Sequence, residues 1–126
     1  MSMEESKHFK RSELECSHTG DCKMEEEFME SLEKIRELYA NPMRLSSAYR
    51  SVLHPVESRK DSPGAHTAGQ AVDILVAGWD AVELLRIALN NPWVKGIGIS
   101  QKGKWESRFI HLDTWSERTE RAIWSY

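Results

Sequence analysis

Four residues in the second half of the chain have the types and spacing to do chemistry: His66, Asp73, His111 and Asp113. His66 and Asp73 stand seven apart in "GAHTAGQAVDI", where small residues surround the histidine and an acid interrupts an apolar run. If 71–76 is a strand, Val72, Ile74 and Val76 share one face, and Asp73 points the other way with Ala71 and Leu75. Ala65, Ala68, Gly69 and Ala71 leave room for a sharp turn that brings His66 back to the side of Asp73. Alone, the pair reads either as a hydrogen-bonded structural pair or as two ligands of one metal ion. The same alternation recurs in "RFIHLDT", with Ile110 and Leu112 on one face and Phe109, His111 and Asp113 on the other. Two strands that present His and Asp opposite an apolar face predict one shared cleft. His66, Asp73 and His111 make a set of two imidazoles and one carboxylate. Catalytic zinc sites use such a set, with a fourth position open to water. Iron and manganese accept the same ligand types.

Those side chains need a scaffold. Residues 1–23 are polar and turn-rich and are predicted to form an N-terminal arm that packs through Phe9 and Leu14. Met24, Phe28, Leu32, Ile35 and Tyr39 then recur at helical spacing, with acids crowding the first turns, and Pro42 stops the helix. A short strand is expected from Met43 to Arg50, then a long loop over 51–65, of a length that is often functional. After the strand at 71–76, "GWDAVELLRIALNN" predicts a second helix with Val82, Leu85, Ile87 and Leu89 as its apolar positions. "VKGIGIS" and "SRFIHLDTW" are two further strands, and "RTERAIWSY" is expected to close over the core. This order predicts an α+β fold, a mostly antiparallel sheet with helices on one face, in a single domain over 1–126. The loop 51–65 and the turn 101–107 are expected as cleft walls, with Trp79, Trp105 and Trp115 available as apolar surface.

With 126 residues, 40% of them hydrophobic and 29% charged, the chain can bury a real core. A net charge of -3 offers no general attraction to nucleic acid or anionic membrane, and neither is expected as a partner. The opening "MSMEESKHFKRSELE" lacks the apolar centre of a secretory signal, so cytoplasmic synthesis is expected. Cys16 and Cys22 in "CSHTGDC" suit reduced thiols in a polar turn, a disulfide, or a small metal knuckle with His18.

"LSSAYRS", then "HTAGQAVDI", then "GIGIS…RFIHLDTW" resemble, in that order, the zinc D-Ala-D-Ala carboxypeptidases and L-Ala-D-Glu endopeptidases of the LAS group (lysostaphin, D-Ala-D-Ala metallopeptidase, sonic hedgehog). The likeness runs from about Phe9 to Trp124, and short phage and bacterial members are the most similar. It implies the hedgehog-like fold, zinc as cofactor, and His66, Asp73 and His111 as its ligands. It also implies that Arg50 holds a substrate oxygen and steadies an oxyanion. The substrate implied is the peptide stem of bacterial peptidoglycan, cut by a monomer, as carboxypeptidase or endopeptidase. Release to the wall as a phage lysin or virion-associated enzyme would follow. Many relatives carry an acid three residues before the second histidine, where this chain has Arg108. The base is then expected to be Asp113 or Glu106, with orientation of a ligand imidazole as the other role open to Asp113. Without a base in reach, the alternative is a non-catalytic, zinc-stabilised binding module or phage structural protein.

Overall fold

The computed structural model describes residues 2–126. Its elements in chain order are β1 (Ser2–Met3), α1 (Arg11–Leu14), β2 (Met24–Glu25), α2 (Glu26–Tyr39), β3 (Arg44–Ser47), β4 (Ala71–Leu75), α3 (Gly78–Leu89), β5 (Gly96–Ser100), β6 (Phe109–Asp113) and β7 (Ala122–Ser125). Five strands form one sheet in the order β3-β4-β6-β5-β7, and β1 pairs with β2 in a separate ribbon. All pairings are antiparallel except that of β5 with β7. The fold is α+β, as the order of elements predicts. No helix among the described residues is long and apolar enough to cross a membrane.

Alternation in the strands sorts the two faces of the sheet. Val72, Ile74, Ile97, Ile110 and Leu112 are all buried in the core with the helices. From α2 and its approach come Met24, Phe28, Leu32, Ile35 and Tyr39, the stripe expected from the sequence. Burying side chains such as Leu32 and Ile35 stabilises the fold by about 1.5–3 kcal/mol each. The helix starts at Glu26 because Met24–Glu25 pairs with Ser2–Met3. It ends at Tyr39, and the capping Ala40 turns left-handed at φ 61° and donates its N–H to Arg36 O. In α3 the buried stripe is Ala81, Leu84, Ile87 and Ala88, while Val82 and Leu89 are exposed. Large residues, Leu84 and Ile87, and small ones, Ala81 and Ala88, share the inward face where α3 packs beside α2. Phe9 and Leu14 are fully buried, so the arm is part of the core. Residues 122–125 do not cap the core; they add an edge strand beside β5, with Gly98 opposite Trp124.

Candidate metal centre

Register sets the site. Asp73 on β4 and His111 on β6 are direct cross-strand partners, and Gly98 on β5 flanks His111 from the other side. All point to the sheet face opposite the helices. His66 reaches the same face from a tight turn closed by Gly69 N–H to His66 O and Gln70 N–H to Ala65 O. The structure therefore brings together His66, Asp73 and His111, all buried, with one ligand atom from each lying within 4.8 Å of the others. Asp73 Oδ1 is 3.0 Å from His111 Nδ1 and 3.4 Å from His66 Nε2.

The outer nitrogens decide what the inner ones can do. His66 Nδ1 lies 2.7 Å from Ala48 O, a carbonyl that only accepts, so Nδ1 carries the hydrogen. His111 Nε2 lies 2.7 Å from Asp113 Oδ2. Burial works against ionising Asp113, but hydrogen bonds from His111 and Arg118 outweigh it and pull the carboxyl down to about 2. Nε2 of His111 is therefore a donor to a carboxylate. Both inner nitrogens are left with lone pairs aimed at an anionic oxygen. Either a proton or a cation must fill that cluster. Burial depresses the His111 imidazolium, yet Asp113 and Asp73 more than offset this and raise its pKa. Asp73, likewise disfavoured by burial, is held far below the carboxylate range by the two imidazoles. One carboxylate and two imidazoles whose outer nitrogens are already engaged are the donor set of a divalent cation such as zinc, which would take the place of a proton in the cluster.

Arg50 lies against the other oxygen of Asp73, with Nη2 3.5 Å from Oδ2. Its Nε donates to Ser47 Oγ at 3.0 Å and its Nη1 to Glu57 Oε2 at 3.3 Å. A cavity of about 440 Å³ opens over the cluster, lined among others by Arg50, Lys60, Trp115, Arg118, Trp124 and Tyr126. Asp113 has no exposure and does not line it. Its oxygens accept from Arg118 Nε and Nη2 at 3.2 and 2.8 Å and from Trp115 N–H at 3.2 Å. That geometry suits orientation of His111 rather than proton transfer. Glu106 sits exposed in the β5–β6 turn and does not line the cavity either.

Of the expected walls, Lys60, Ser62, Pro63, Gly64 and Ala65 line the cavity, but the turn 101–107 does not. Gln101 and Trp105 flank a groove beside α3, together with Trp79 and Arg108, on the helix side of the sheet. Sequence reasoning missed Glu57, Arg118, Trp124 and Tyr126. Cys16 and Cys22 are buried free thiols.

The model of the peptidase family described as Peptidase M15 matches residues 7–113. This chain belongs to the peptidase M15 family. No curated protein matches it. M15 peptidases are zinc-dependent metallopeptidases, and membership implies a peptide substrate. The M15 match ends at Asp113, so Trp115, Arg118, Trp124 and Tyr126 are cavity residues lying beyond it.

Proposed function

We propose that this M15 peptidase is a zinc enzyme that hydrolyses an amide bond in the peptide stem of bacterial peptidoglycan. The observation that carries this reading is the convergence of His66 Nε2, Asp73 Oδ1 and His111 Nδ1 beneath an open cavity. In this account the three residues hold the ion. Bound there, zinc would supply a Lewis acid that polarises a carbonyl and brings the pKa of water toward about 7. Asp113 keeps the His111 ring in the tautomer and orientation that ligation needs. Arg50, fixed by Ser47 and Glu57, offers a guanidinium to the carbonyl oxygen as it gains charge. Lys60 and Arg118 add positive charge to the cavity lining, which suits a stem peptide bearing free carboxylates. The enzyme acts as a monomer and reaches the wall after release from the cell, in the manner of a phage lysin.

The test is turnover. Zinc-loaded protein incubated with purified peptidoglycan should release new amino groups, and His66→Ala or His111→Ala should abolish the release. Activity unchanged by a strong chelator rejects the mechanism. Zinc bound stoichiometrically with no cleavage of several stem peptides would instead favour a metal-stabilised binding module, consistent with the absence of an acid other than Asp73 among the described lining residues.

A further inference from the structure

Beyond the M15 match, β7 runs parallel to β5, and Trp124 within it and Tyr126 just after it reach the rim of the cavity. The reason they fit is Gly98. A β-carbon there would lie 2.7 Å from Trp124 Nε1 and 2.9 Å from the Tyr126 hydroxyl oxygen. Both polar tips thus meet over a bare patch of strand whose cross-strand neighbour is His111. The Trp124 ring stands 5.3 Å from the His111 ring, centroid to centroid, and Tyr126 packs at 5.2 Å on Phe109. The backbone of Tyr126 is pinned by its N–H to Ile99 O at 3.2 Å.

An indole N–H can only donate and a phenol can donate as well as accept, and Trp124 Nε1 and the Tyr126 hydroxyl both stand over Gly98. A phenol carries one hydrogen to donate, and that of Tyr126 is available to a ligand in the cavity. Tyr126 is 51% exposed and lines the same cavity as His66, Asp73 and Arg50. A neutral donor at that place, on a ring held from two sides, is suited to an amide oxygen.

We propose that the Tyr126 hydroxyl contacts substrate, donating a hydrogen bond to the peptide oxygen that gains negative charge at the bond being cut. The inference rests on the peptidase reading and adds a group that the family match does not reach. Arg50 supplies charge to that oxygen, while Tyr126 supplies a directed bond that strengthens as the oxygen becomes anionic.

Tyr126→Phe removes only the hydroxyl and keeps the packing on Phe109. Three readouts are compared with the parent protein: zinc affinity, kcat and KM on a stem peptide, and calorimetric binding of a stem-peptide phosphinate that imitates the tetrahedral state. Zinc affinity is expected to be unchanged. A fall of about tenfold is expected in kcat/KM, borne mainly by kcat, with a similar loss of phosphinate affinity. Values within twofold of the parent for both turnover and phosphinate overturn the proposal. If the parent binds zinc and phosphinate but cuts nothing, the peptidase reading fails while the phosphinate comparison still decides Tyr126. If the parent binds neither, both fall.

Discussion

The chemistry of the site turns on which nitrogen of each imidazole carries hydrogen, and residues outside the cluster set this. Asp113 is the main one: it accepts from His111 Nε2 and is itself held by Arg118, whose guanidinium stacks 4.9 Å from the Trp124 ring centroid. Asp113→Asn keeps the shape but removes the charge, and it is expected to lower zinc affinity by about 10–100-fold in a chelator competition. An unchanged affinity would remove Asp113 from the account. Gly96 offers a second approach to the same carboxylate, since a β-carbon there would fall 2.2 Å from Asp113 Oδ2. Gly96→Ala should reproduce the loss of affinity without altering any ionisable group. Asp73 and His111 were legible in the sequence because their types are rare opposite an apolar strand face, and His66 because small residues around it allow a turn back toward Asp73. Glu57 and Arg118 were not, since loops have no periodicity to mark an inward-facing charge. The role of Asp113 depended on Gly96 and Arg118, which only the folded sheet brings to it.

At the scale of elements, the N-terminal arm is tied to α2 through Glu33. Its carboxylate accepts from Ser6 Oγ at 2.5 Å and from His8 N–H at 2.8 Å, and His8 Nδ1 lies 2.5 Å away. Burial acts to raise the Glu33 pKa, but the bonds from Ser6 and His8 outweigh it, and the folded value lies below the ordinary 4.5. A depressed carboxylate stabilises the fold fully above the unfolded value and loses that contribution as pH falls through the folded one. Glu33→Gln is therefore expected to cost about 1–3 kcal/mol at neutral pH by denaturant unfolding, a gap that narrows once pH drops below about 4.5. An equal gap at acid and neutral pH would contradict this. Helical spacing identified α2 with its inward residues, because an amphipathic stripe is written along a contiguous segment. Of the apolar positions expected on α3, Ile87 is buried and Leu85 packs against the core, but Val82 and Leu89 are exposed where Ala81 and Ala88 are buried. β7 was missed as a strand because four residues at a sheet edge, mostly exposed, carry no alternation.

For the whole molecule, one sheet separates two tasks: its apolar face meets the helices, and its other face gathers acids and imidazoles from turns and strands far apart in the chain. Such a centre exists only in the folded protein, so metal binding and folding are linked, with about 4 kcal/mol of added stability at a thousandfold excess over Kd. The central claim is that His66, Asp73 and His111 hold a single ion together. Its most direct test is calorimetric zinc titration of the metal-free chain beside His66→Ala and Asp73→Ala. The account predicts a single zinc per chain, with that binding lost in both variants. Absence of stoichiometric binding, or binding undiminished by either substitution, would contradict it.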